Sequence, residues 1–189
     1  RVVEPNAMQR EFMSEIMRLI RSGQRRALLV SATGTGKTYA SAFAVREMLS
    51  SNVLQKKKVL FLSHREMINS QAEASYHIVM GGAFKTAQLS GNCQDLSKIK
   101  SADMVFATMN MMAKDDFRSS NFAPDEFSVI ILDECHRSGS ESYQKIIDYF
   151  TPQFLLGMSA SPDRTDGFDV YSLFDHNIAC EIRLRTALE

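Results

Sequence analysis

Ala27-Leu28-Leu29-Val30-Ser31-Ala32-Thr33-Gly34-Thr35-Gly36-Lys37-Thr38 passes from an apolar run into a glycine-rich turn, and the segment after it, Tyr39 to Met48, has the composition of a helix. A buried strand, a glycine turn and a helix in immediate succession is the setting in which a phosphate-binding loop makes physical sense. Gly34 and Gly36 can take backbone angles closed to other residues, so successive N–H groups can turn inward around an anion at the positive end of the helix. In such a loop Gly34, Thr35 and Gly36, with Thr33 before them, cradle the phosphates. Lys37 reaches the β- and γ-phosphates, and the Thr38 hydroxyl ligates Mg²⁺. The general pattern, Gly-x-x-x-x-Gly-Lys-Ser/Thr, starts with a glycine where this chain has Ser31; Gly34 inside the loop supplies the freedom instead. The stretch therefore predicts a nucleotide, ATP, with Mg²⁺.

Working outward, short apolar runs alternate with helical segments. Val59-Leu60-Phe61-Leu62, Met104-Val105-Phe106-Ala107-Thr108, Val129-Ile130-Ile131-Leu132 and Phe154-Leu155-Leu156-Gly157-Met158 read as strands, with a further one around Thr86 to Leu89. Asn6 to Ile20, Arg65 to His77 and Ser142 to Phe150 read as helices, the first because Met8, Phe12, Ile16 and Ile20 recur at helical spacing. Strands that are apolar throughout are buried on both faces, so the pattern predicts an α/β fold with a mostly parallel sheet sandwiched between helices. The tail from Val170 is mixed. Gln9 has two readings: it can close a capping box with Asn6 at the start of the first helix, or its amide can grip the edge of a base.

The strand Val129 to Leu132 ends in Asp133-Glu134-Cys135-His136. In an open parallel sheet, ligand sites lie at the carboxyl ends of strands, so these acids and the phosphate loop can share one crevice. Carboxylates beside phosphates repel them unless a cation intervenes. That assigns Asp133 to Mg²⁺, directly or through water, and leaves Glu134 to polarise an attacking water.

The 189 residues suffice for one substantial core, and one domain over residues 1–189 is expected. Hydrophobic residues at 44% and charged residues at 23% are ordinary globular values. No apolar run approaches the roughly 18 residues of a membrane span, and no signal-peptide stretch opens the chain, so a cytoplasmic protein is expected. Cys93, Cys135 and Cys180 are odd in number and form no CxxC pair; reduced core or near-core thiols are expected rather than disulfides or a zinc site. The eleven methionines, Met109, Met111 and Met112 among them, read as core filler. Lys56-Lys57-Lys58 reads as a solvated turn. Net charge is zero, yet residues 1–114 carry 16 Lys and Arg against 8 Asp and Glu, and residues 115–189 carry 6 against 14. Such a split marks either a polyanion-facing side or two halves that neutralise each other.

The order of these elements resembles the first RecA-like domain of a superfamily 2 helicase or translocase of the DExH kind, over nearly the whole chain from about Met8. Ala32 to Thr38 resembles motif I, Ser63-His64-Arg65-Glu66 motif Ia, and Ala107-Thr108-Met109-Asn110 motif Ib. Asp133 to His136 resembles motif II and Ser159-Ala160-Ser161-Pro162 motif III. The restriction-subunit-like branch matches best, through His64-Arg65-Glu66 and the phrase Ser-Ala-Ser-Pro-Asp-Arg-Thr-Asp-Gly from Ser159. The resemblance implies that Gln9 reads adenine, that Lys37, Thr38, Asp133 and Glu134 form the hydrolytic set, and that His136, Ser159 and Ser161 couple nucleotide state to movement. It also places His64, Arg65 and Thr108 near a nucleic-acid backbone, DNA ahead of RNA. Ser161 departs from the commoner threonine of motif III by one methyl.

Enzymes of this superfamily close two RecA-like domains on one ATP, and the second domain supplies an arginine near a Gln-x-x-Gly-Arg motif. This chain has no such motif. It is expected to be the N-terminal part of a longer protein, nearly inactive in hydrolysis by itself. A small-molecule P-loop kinase is disfavoured by the Asp-Glu-Cys-His and Ser-Ala-Ser-Pro elements. A nucleotide-gated nucleic-acid sensor that does not unwind stands as the alternative.

Overall fold

The computed structural model describes residues 2–31, 34–135, 141–160, 174 and 178–182, apart from the side chains of residues 34, 35 and 178–182. The sheet is built from β1 (Arg26–Ser31), β2 (Val59–Ser63), β3 (Thr86–Leu89), β4 (Met104–Thr108), β5 (Val129–Leu132), β6 (Phe154–Ser159) and β7 (Ile178–Ile182). Their order is β3-β4-β2-β5-β6-β1-β7, with every described pairing parallel. The register is continuous across six strands: Leu89 lies beside Ala107, Ala107 beside Leu62, Leu62 beside Leu132, Leu132 beside Gly157, and Gly157 beside Leu28. The strand ends therefore form one straight edge, on which the residues just beyond each strand are neighbours.

Successive strand residues serve opposite faces. On one face Ala27, Leu29, Phe61, Phe106, Ile131 and Leu156 are buried under α1 (Ala7–Arg21), α2 (Gly34–Ser50) and α3 (Glu66–Met80). On the other, Leu28, Leu60, Val105, Ile130 and Leu132 are buried with residues of α4 (Leu96–Ser101), α5 (Met109–Met112) and α7 (Glu141–Tyr149). Gly157 faces the same side, and a methyl group there would overlap the ring of the buried Phe174. The expected α/β sandwich is present.

Several expectations need correction. Helix α2 begins at Gly34, inside the glycine turn rather than at Tyr39, because the glycines adopt the helical turn themselves. Helices α4, α5 and α6 (Asp115–Asn121) were not foreseen, and β7 lies in the tail read as mixed. Lys58 is not solvated: its ammonium donates to the carbonyls of Ile99 and Lys100 at 3.1 and 3.2 Å and lies 3.4 Å from Glu126. Lys56 pairs with Asp125 at 3.0 Å. With Lys37 and Asp133, these pairs join the basic half of the chain to the acidic half, so part of the charge split neutralises internally. Of the thiols, Cys135 is buried, but Cys93 is exposed beyond β3; Met109, Met111 and Met112 are core residues as expected.

Candidate functional site

Because α2 starts at Gly34, the amides of residues 34–36 in its first turn have no intrahelical acceptor and are gathered at the positive end of the helix dipole. Lys37 lies in this first turn and is only 7% exposed. A lysine is rarely buried without a partner, and the partner is Asp133, 6% exposed, with Nζ 3.6 Å from Oδ1. Asp133 reaches this position because its N–H donates to the Leu62 carbonyl at 2.9 Å, carrying the β2–β5 pairing one residue past β5. Burial pushes its carboxyl above the usual aspartate range, while Lys37 and the Glu134 N–H oppose the shift. One buried cation and one buried carboxylate, placed beside a row of backbone donors, suit a ligand that brings both an anion for Lys37 and a cation for Asp133. The Cys135 thiol, by contrast, is buried, and burial pushes it up, which favours the protonated form.

Lys37, Thr38, Asp133 and Glu134 line one cleft of about 410 Å³ with Ile68, Gln71, Ala72 and Ser75 of α3. The structure thus brings together four residues that lie almost a hundred positions apart in sequence. Glu134 adopts φ 50°, a left-handed conformation uncommon for a side chain of its size. A smaller cavity of about 190 Å³, with Arg25, Arg26, Ile146 and Phe150 in its walls, contains none of these groups.

The remaining predicted residues fall into three sets. Gln9 forms the capping box: the Asn6 N–H donates to Gln9 Oε1 and the Gln9 N–H to Asn6 Oδ1, both at 2.9 Å. Its carbonyl end is engaged locally, and it does not line the cleft. Ser63 lies beside Thr108 in the β2–β4 register, so His64, Arg65 and Thr108 form a ledge on the same edge of the sheet as Asp133. Arg65 is exposed, His64 half-buried and Thr108 nearly buried. Ser159 is buried at the end of β6, beside Val30 at the end of the apolar run that feeds the glycine turn. Thr33, His136 and Ser161 lie outside the described residues.

Sequence reasoning missed residues that hold this region in shape. The Tyr76 hydroxyl donates to Ser41 Oγ at 2.8 Å, and Ser41 Oγ donates to the Thr38 carbonyl at 2.7 Å, tying α3 to the first turns of α2. Tyr143, fully buried on α7, donates its hydroxyl to the Asp133 carbonyl at 2.9 Å and sets its ring edge-on to His64, 5.3 Å between centroids. The available signal was a tyrosine where a helix faces the core, since a buried phenol needs a hydrogen-bond partner.

Over residues 2–164 the chain matches the family described as "Type III restriction enzyme, res subunit". The chain belongs to that family. It is 32% identical over 165 residues to the type I restriction enzyme EcoAI endonuclease subunit of Escherichia coli, covering 85% of this chain and 20% of that protein. It is 26% identical over 176 residues to the putative ATP-dependent helicase IRC3 of Saccharomyces cerevisiae, covering 84% and 23%. The chain thus spans about a fifth of the length of these relatives. The helicase domain of Pyrococcus furiosus Hef shares its fold, with TM-score 0.73 at 21% identity over 95% of this chain and 38% of that one. The resemblance drawn from motif order, to a superfamily 2 helicase-like first RecA-like domain, is borne out. Among the described residues no helix is long and apolar enough to cross a membrane.

Proposed function

We propose that this family member binds Mg²⁺ and ATP as the first RecA-like domain of a DExH-type, nucleic-acid-dependent ATPase that translocates along or opens DNA. The observation that carries the reading is the buried Lys37–Asp133 pair set against the unsatisfied amides of α2. A lysine and a carboxylate kept together out of water are costly unless the site has a use for both charges. Thr38 and Asp133 would hold Mg²⁺, which when bound neutralises charge on the phosphate oxygens. The amides of residues 34–36 and the Lys37 ammonium would bind and orient the phosphates. Glu134, one residue beyond the metal carboxylate, would hold the proton of an attacking water. Gln9 would read adenine through the amide nitrogen that its cap leaves uncommitted. His64, Arg65 and Thr108 would meet the nucleic-acid backbone, and His136, Ser159 and Ser161 would link nucleotide state to movement. A second RecA-like domain, in the longer protein, would complete the site.

The test is Lys37→Ala, followed by calorimetry with Mg·ATP. Removing one partner of a buried charge pair across a binding interface, here Lys37 with a phosphate, typically costs about 2–5 kcal/mol, so affinity should fall by about 30-fold to a few thousandfold. Affinity within about twofold of the original would reject the site. DNA, RNA and no nucleic acid, each added to the intact protein, separate a DNA motor from an RNA sensor by which of them raises turnover.

A further inference from the structure

Between the nucleotide cleft and the ledge lies a single peptide group that is fixed at both ends. Its carbonyl, that of Asp133, accepts the Tyr143 hydroxyl at 2.9 Å, and its N–H, that of Glu134, donates to Asp133 Oδ1 at 2.9 Å. The plane of this peptide sets where Oδ1 points and sustains the left-handed backbone of Glu134, at φ 50°. An uncommon conformation of this kind persists only where its surroundings over-determine it. Among the described residues, Tyr143 belongs to those surroundings and also touches the ledge, because its ring meets His64 edge-on with centroids 5.3 Å apart and planes at 67°. The tyrosine is 0% exposed and so has little room to move independently of either neighbour.

We propose that Tyr143 is a positioning residue that ties the ledge to the cleft: a shift of His64 turns the tyrosine, and the tyrosine turns the Asp133–Glu134 peptide. The inference rests on the proposed Mg·ATP and nucleic-acid reading and adds to it the physical connection between the two. Both contacts are made by one rigid side chain, the ring at one end and the hydroxyl at the other, so displacement at either end is felt at the other. The coupling is reciprocal, as any linkage between binding equilibria must be. Mg·ATP at Asp133 should reorient His64, and an oligonucleotide at His64 should change the affinity for Mg·ATP.

Histidine ring signals in a ¹³C-labelled sample of the chain provide the readout, with the sequence first left unaltered. Addition of Mg·ATP should move the His64 signal. Saturation with Mg·ATP that leaves His64 unmoved would overturn the inference without any variant. Tyr143→Phe then removes only the hydroxyl and keeps the ring against His64. In this variant Mg·ATP should still bind, within about tenfold of the original affinity, since one hydrogen bond of typical net worth is lost, but the His64 response should disappear. A folded Tyr143→Phe protein that keeps the full response would show that the signal passes by another route, and would overturn the inference while leaving the proposed function intact. Failure of the unaltered chain to bind Mg·ATP at all would remove both.

Discussion

The cleft and the ledge stand on the same edge of the same sheet, yet their charged residues are held in opposite ways. Lys37 and Asp133 are nearly sealed from solvent and answer each other, whereas Arg65 projects into water at the head of α3 without a capping hydrogen bond. A buried ion pair is weak evidence for stability, because apolar replacements of similar volume often do as well. Its presence at the open end of α2 thus supports the proposed ligand more than it supports a role in folding. An exposed arginine carries no such implication, and only its position beside Thr108 and His64 connects it to the edge. The two regions differ in what a residue's surroundings say about its purpose.

The sharpest way to break that contrast is Glu134→Gln, which keeps shape and hydrogen bonding but loses the capacity to take a proton. Turnover in the intact protein should fall by about a hundredfold or more, within the range typical of a lost general base, while Mg·ATP affinity measured by calorimetry stays close to the original. Unchanged turnover would leave the cleft a binding site with no base at Glu134, and would erase the distinction between a chemical end and a recognition end.

The sequence revealed most where its residues had no alternative. Strands β4 and β5 have the limits that their sequence predicts, and β2 extends one residue further, to the buried Ser63; apart from Ser63 and Thr108 at their ends, all three are apolar at every position, and the glycine turn and the Asp-Glu pair are assigned to one crevice by the sequence alone. Helix α4 escaped notice because Ile99 is its one buried residue and Leu96 is 38% exposed, so no periodicity marks it; Asp95 caps it, accepting from the Lys98 N–H. Lys58 escaped because a run of three lysines looks the same whether its ammoniums reach water or, as here, two helix carbonyls. Tyr143 illustrates the general limit. Helical spacing places it in the core, but only the folded chain shows that its hydroxyl arrives at the Asp133 carbonyl.

Asp133 offers a second test of the buried end through its proton. Its carboxyl titrates above the ordinary aspartate range because burial disfavours the charged form more than Lys37 favours it. Mg²⁺ requires the carboxylate and competes with the proton, so metal-dependent nucleotide binding should be complete at neutral pH and weaken as pH falls through the raised value. The carboxyl's own midpoint should lie above that of an unperturbed aspartate. The carboxyl carbon signal of Asp133 followed against pH in the metal-free chain would show it, with Mg²⁺ displacing the midpoint downward by competition; a midpoint that Mg²⁺ with nucleotide leaves unmoved would mean that Asp133 is not the metal carboxylate.

The smallest effect is expected on the ledge, from Arg65→Ala. The backbone at this position is secured without the side chain: the Arg65 carbonyl accepts the Asn69 N–H at 3.2 Å and lies 3.0 Å from Ser63 Oγ, which also lies 2.7 Å from Asn69 Oδ1. Removing the guanidinium should therefore leave the melting temperature and Mg·ATP affinity unchanged. What it should alter is a phosphate contact, and such contacts carry little base information but release counterions. Oligonucleotide affinity should weaken to a similar degree for unrelated sequences, and the slope of log affinity against log salt should become shallower by about one. A loss confined to one base sequence would make Arg65 a reader of bases. An unchanged slope would remove it from the interface and leave the ledge to be carried by His64 and Thr108, whose side chains are already largely shielded from the solvent a polyanion must enter from.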